Sequence, residues 1–158
     1  MPVRVARAAR VAALDALARR DRASEELRRS LLEKGYDRDI VAGVIDRLTD
    51  ERLLDDRRYV DNFVSFHAAR GQGPLRVRAE LRKLGLHGEI VEDCIAAFPD
   101  WIGRMHAVRQ KKFGMALPAN FADKQRQARF LAYRGFTGAQ IRTALGFDTD
   151  LHADNEET

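Results

Sequence analysis

Five carboxylates fall within the stretch RLTDERLLDDRRYVDNFV: Asp50, Glu51, Asp55, Asp56 and Asp61. When such side chains converge they do one of two kinds of chemistry. They hold a divalent metal, or they move a proton as an acid–base pair. Both uses need convergent partners, and His67, His87, His106 and His152 do not recur at ligand spacing. The other use is helix punctuation. Asp55 or Asp56 stands just before the apolar periodicity of Tyr59, Phe63 and Phe66. There a carboxylate accepts N-terminal N–H bonds and meets the positive end of the helix dipole. Asp50 and Glu51 stand past a helix end, with Arg47, Arg52 and Arg57 nearby in sequence. The capping reading is preferred. No catalytic residue, metal ligand or cofactor is expected, and the chain is read as a non-enzyme.

Other residues with chemical potential read structurally. Arg70-Gly71-Gln72-Gly73-Pro74 is glycine-rich but lacks the Lys-Ser/Thr pair of a phosphate loop, so it reads as a flexible connector. Cys94 falls on an apolar face at a position matching Val44 and Ala144, which suits a small core residue. Ser65 and His67 are two apart and lie on different faces of a helix. Trp101 sits at a seam and is expected to pack there.

Cations carry the stronger signal. The net charge is only +4, but residues 1–50 contribute +2, 51–100 contribute −1, 101–147 contribute +8 and 148–158 contribute −5. Arg outnumbers Lys by 23 to 5, and Arg is suited to bidentate contact with phosphates and carboxylates. A basic segment followed by an acidic tail points to an anionic partner, either nucleic acid or an acidic protein surface.

The elements that position these residues are helices. In 158 residues, 45% are hydrophobic and 33% are charged, which suits helices with wet outer faces. No apolar run approaches the roughly 18–20 residues of a membrane span. The charged N-terminus does not read as a secretory signal, and a single cysteine suits a reducing compartment. A cytoplasmic location without membrane contact is expected.

The chain repeats itself. LLEKGYDRDIVAGVI, LRKLGLHGEIVEDCI and LAYRGFTGAQIRTAL align with glycines at Gly35, Gly85 and Gly135, 50 residues apart. Leu31, Leu81 and Leu131 precede them by four. Tyr36, Leu86 and Phe136 follow directly, then Val41, Val91 and Ile141. Each glycine fits the left-handed position that ends a helix. The period predicts tandem three-helix units over residues 1–50, 51–100 and 101–147, with an acidic tail expected to be disordered at 148–158. The fold class is all-α, an elongated tandem array of three three-helix repeats. Apolar stripes are read at Val5, Ala9 and Ala12, at Tyr59, Phe63 and Phe66, and at Ile90, Val91 and Cys94.

These residues carry a resemblance. Leu53-Leu54-Asp55-Asp56-Arg57-Arg58-Tyr59, then Gly71-Gln72-Gly73-Pro74, then Glu80-Leu81-Arg82-Lys83-Leu84-Gly85-Leu86, resemble the RecX family of regulators of the RecA recombinase. Arg129-Phe130-Leu131-Ala132-Tyr133-Arg134-Gly135-Phe136 is similar to the same family. One departure is Ala23, which stands where the family often has the Ser of a capping box opposite Glu26. The resemblance implies a modulator that binds RecA filaments and lowers recombinase, ATPase and coprotease activity. It implies contact with single- and double-stranded DNA, directly or through the filament; a monomer is expected in preference to a dimer.

The expected contact residues are basic. Arg126, Arg129 and Tyr133 share one helix face at i, i+3 and i+7, away from Gln127, Ala128 and Leu131. Arg134, Arg109, Lys111, Lys112 and Lys124 are the further cations of that unit, and Arg76, Arg78, Arg82 and Lys83 cluster on the middle helix of the second. The alternative is a stand-alone DNA-binding protein built from helix-turn-helix-like units. Against it, the helices after the glycines carry Asp37, Asp39, Glu89, Glu92 and Asp93.

Overall fold

The computed structural model describes residues 2–146, so the acidic stretch 148–158 lies outside the described residues. Nine α-helices make up the described chain, and no strand occurs among those residues. They are α1 (Pro2–Arg19), α2 (Ser24–Glu33), α3 (Arg38–Asp50), α4 (Asp56–Ala69), α5 (Pro74–Lys83), α6 (Glu89–Ala97), α7 (Trp101–Phe113), α8 (Phe121–Tyr133) and α9 (Gly138–Leu145).

The repeat signature is a helix-stop geometry made three times. Gly35, Gly85 and Gly135 adopt φ of 93°, 79° and 98°, a region a Cβ disfavours. At each, the N–H of the residue after the glycine donates to the carbonyl of the leucine four before it. These bonds are Tyr36 to Leu31 (3.3 Å), Leu86 to Leu81 (3.0 Å) and Phe136 to Leu131 (3.1 Å). A second, inner bond runs from each glycine N–H to the residue three before it. This Schellman pair closes two otherwise orphaned carbonyls, and an apolar contact normally accompanies it. The matched leucine and the large apolar residue after the glycine are therefore the two ends of one bond. The same geometry ends α3 with Arg52 in the left-handed region at φ 58° and Leu53 N–H donating to Leu48 O at 3.0 Å.

Packing divides the chain into two compact units. The first holds the described residues up to Asn62 together with Glu80–Cys94. Its core is Ala9 and Ala13 of α1, Leu27 and Leu31 of α2, Val41, Val44, Ile45 and Leu48 of α3, and Leu54. The second holds Phe63–Ala79 together with the described residues from Ile95 onward. Its core is Met105 of α7, Ala128 and Leu131 of α8, Phe136, and Ile141, Ala144 and Leu145 of α9. Within each, the three helices pack pairwise. Helices α4, α5 and α6 each contribute residues to both units.

Three expected apolar stripes are shifted, that of α6 only at Ile90, which is exposed while Val91 and Cys94 are buried. On α4 the fully buried residues are Val60, Val64 and Ala68, spaced by four, whereas Phe66 is 57% exposed. Phe66 lies instead under the Arg70 guanidinium, 5.4 Å from the ring centroid. On α1, Ala9 and Ala13 are buried while Val5 and Val11 are exposed, because the small residues allow the close helix approach.

Candidate partner-binding surface

Four of the five clustered carboxylates take separate structural roles. Asp55 caps α4, its Oδ1 accepting from Arg58 N at 3.1 Å. Asp56 reaches across the first unit and accepts from both the backbone N–H (2.7 Å) and the hydroxyl of Ser24. Ala23, the N-cap of α2, has no side chain able to cap, so Asp56 does that work from 32 residues away. Glu51 pairs with Arg10 at 2.6 Å and with Arg47 at 3.7 Å. Asp61 is hydrogen-bonded to Cys94. Burial first, and that bond second, push the Cys94 thiol up to about 11, so it stays protonated at neutral pH. Among the described residues no three His, Cys, Asp or Glu side chains gather as a metal group.

The glycine-rich segment is a docked joint, not the flexible connector that its composition suggests. Gly73 N–H donates to Arg134 O at 2.8 Å and Leu75 N–H to Gly135 O at 2.9 Å, all within the second unit. A Cβ on Gly73 would meet the Gly135 carbonyl carbon at 2.4 Å, and one on Gly135 would meet Arg76 Cβ at 2.4 Å. Two glycines thus allow a backbone-on-backbone approach that no other residue permits. Trp101 packs at its seam as expected, with Nε1 donating to Ile95 O at 3.0 Å.

This joint fixes the start of α5 against the end of α8 and so brings Arg76 over the ring of Tyr133, at 5.7 Å. Tyr133 is 77% exposed, and Arg126 and Arg129 are exposed on the same helix. Gln127, Ala128 and Leu131 are buried, so the expected outward stripe and inward face are both in place. Around them, cations stack on rings. Arg134 lies 5.5 Å and Lys112 5.8 Å from the Phe130 centroid, and Arg126 lies 5.2 Å from that of Phe113. Phe113 and Phe130 meet edge to face at 5.3 Å. Guanidinium groups laid on rings lose rotamer freedom and hold their remaining N–H donors in fixed directions. Asp123 is the one carboxylate between Trp101 and Gly146, and it pairs with Arg126 at 2.8 Å.

Not every expected residue reaches this surface. Arg109 is only 2% exposed, and its Nη1 donates to Ala116 O and to Gln127 Oε1, both at 3.2 Å. It is an internal clamp, because α7 turns that position toward the unit's core beside Met105, one helical turn away. Arg82 and Lys83 belong to the first unit, where Lys83 pairs with Glu80 at 3.3 Å, while Arg76 and Arg78 belong to the second. Lys111 and Lys112 are exposed, and Lys124 is half-buried. Sequence reasoning passed over Arg70 and Arg104, which with Lys111 line a shallow depression of about 190 Å³ in the second unit. The i, i+7 spacing of Arg104 and Lys111 was the available signal.

Three-helix units in tandem, with a basic, ring-backed surface on the second unit, define an all-helical repeat protein. Family models of the RecX first, second and third three-helix domains match residues 9–48, 55–95 and 104–145, and the chain belongs to the RecX family. It is 41% identical to the regulatory protein RecX of Halorhodospira halophila over 87% of this chain and 86% of that one. It is 40% identical to the regulatory protein RecX of Pseudomonas savastanoi pv. phaseolicola over 82% and 84%. The crystal structure of RecX from Lactobacillus salivarius superposes with a TM-score of 0.82 at 19% identity, over 91% of this chain and 96% of that one, which speaks for the fold. No described helix is long and apolar enough to cross a membrane.

Proposed function

We propose that this protein binds RecA filaments on DNA and lowers recombinase, ATPase and coprotease activity, working as a cytoplasmic monomer. Family membership motivates the reading. The observation that carries it to particular residues is the surface of the second unit, where Arg76, Arg126, Arg129 and Arg134 gather on and around exposed Tyr133 and half-buried Phe130, with Asp123 as the only carboxylate between Trp101 and Gly146. Such a surface suits an acidic protein groove or a phosphate backbone. Arg78, Lys111, Lys112 and Lys124 extend the field that draws an anionic partner in.

The test is RecA-driven ATP hydrolysis on single-stranded DNA, measured with the wild type and with Arg126→Ala combined with Arg129→Ala. The wild type should lower the rate. The variant should need at least roughly tenfold more protein for equal inhibition, about 1.4 kcal/mol. Its thermal midpoint should move little, since both side chains are exposed. Inhibition abolished by excess free DNA would favour the stand-alone DNA-binding alternative.

A further inference from the structure

The loop between α7 and α8 exposes apolar side chains to an unusual degree. Met115 is 76%, Leu117 68% and Phe121 59% exposed, within seven residues of chain. Single exposed apolar residues need no explanation, but two large ones on one connection and a third on the first residue of the helix it leads into mark a contact site. The loop is also held at several points. Buried Arg109 grips its Ala116 carbonyl, Gly114 at φ 85° donates to Gln110 O at 2.8 Å, and Asn120 Oδ1 caps α8 by accepting from Asp123 N at 2.9 Å. The oxygens that Arg109 grips are neutral, so a buried charge is spent on fixing a surface loop. A connection held in this way gives up little entropy when it binds.

The charges beside the loop set the partner's sign. Lys111 and Lys112 end α7, and Lys124 and Arg126 begin α8. Asp123 is the only carboxylate nearby in sequence and is already paired with Arg126. We infer that Met115, Leu117 and Phe121 form a protein-docking finger that enters an apolar recess ringed by carboxylates. The inference rests on the filament reading above and assigns this contact to the filament's protein wall, not its nucleic acid. Only Phe121 of the three has a ring on which a base could stack, and Met and Leu offer phosphates nothing. A clamped loop suits a recess of fixed shape better than fluid lipid, although a basic-flanked apolar loop also has the composition of a membrane-surface contact.

The test uses the full chain with Met115→Ser and Leu117→Ser combined. Binding is measured to RecA filaments, to bare single-stranded DNA and to phosphatidylglycerol vesicles, alongside the thermal midpoint. Filament affinity should fall at least roughly tenfold, or 1.4 kcal/mol. Affinity for bare DNA and the midpoint should hold, and neither protein should bind vesicles. Unchanged filament affinity overturns the finger while leaving the filament reading in place. An equal loss on bare DNA assigns the loop to nucleic acid, and vesicle binding lost in the variant assigns it to lipid. Either result overturns the inference. A wild type that binds no filament overturns both readings together.

Discussion

Asp56 and Ser24 carry the sharpest argument at the scale of single residues. The sequence flags Ala23 as a weak start to α2, and the structure supplies the missing acceptor from the first residue of α4. Asp56→Ala should lower stability by about 1–2 kcal/mol, the usual cost of a lost N-cap. Ser24→Ala removes only the hydroxyl leg and should cost less. A double-mutant cycle in urea should therefore show coupling between the two positions, and strict additivity would mean that Asp56 acts only on its own helix. Cys94 gives a second prediction. Its thiol is raised from 9.0 to about 11, so the folded state holds the proton more tightly than the unfolded chain. The stabilisation is complete below pH 9, declines as pH rises from about 9 to about 11, and declines no further above that. Iodoacetamide at pH 8 should label the denatured protein and leave the native thiol unmodified over the same time.

Helix ends and joints decide more than helix interiors at the scale of elements. Gly35 and Gly73 make the contrast. Gly35 needs only its positive φ, since nothing lies within 4 Å of a built Cβ. Gly35→Ala should cost about 1–2 kcal/mol, the left-handed penalty alone. Gly73 has no positive φ, but its Cβ would collide with backbone at Gly135 at 2.4 Å. Gly73→Ala should cost more than Gly35→Ala and, unlike it, should move Tyr133 relative to Arg76. Tyr133 fluorescence quenching, read in a chain with Trp101→Phe, Tyr36→Phe and Tyr59→Phe, would report that movement, and equal costs with equal spectra would count against the joint. The helix stops at Gly35, Gly85 and Gly135 were legible in the sequence because they follow from short-range geometry repeated three times. The joint was not, because Gly73 and Gly135 are 62 residues apart and composition alone cannot tell a docked glycine from a loose one. The buried face of α4 was misread for a related reason. Bulk suggested Phe66 as core, but close helix packing selected Val60, Val64 and Ala68.

The period and the packing disagree at the scale of the whole chain, and the disagreement has a consequence. Sequence places three units end to end, and the family models follow that period. The contacts instead give Phe63–Ala79 to the same compact unit as the described residues after Ile95. Charge could be tallied along the chain and helical spacing read from it, which is why the basic third repeat and the exposed face of Arg126, Arg129 and Tyr133 were readable. The inward turn of Arg109 was not, because it depends on which face of α7 meets Ala128 and Leu131. A chain cut after Asp100 tests the packing boundary directly. By the period it should keep two whole repeats. By the contacts it loses the acceptors of Gly73 and Leu75 at Arg134 and Gly135 and leaves part of α4 and α5 without its partners. Two lost hydrogen bonds, at about 0.5–1.5 kcal/mol each once water reaches the freed amides, plus uncovered apolar surface around Val64, Ala68 and Val77, amount to a few kcal/mol. The fragment should remain helical by circular dichroism but exchange the amides of Phe63–Ala79 far faster than those of Leu27–Leu48. Slow exchange across both segments would mean that the middle repeat stands on the first unit alone and that the boundary lies at the period after all.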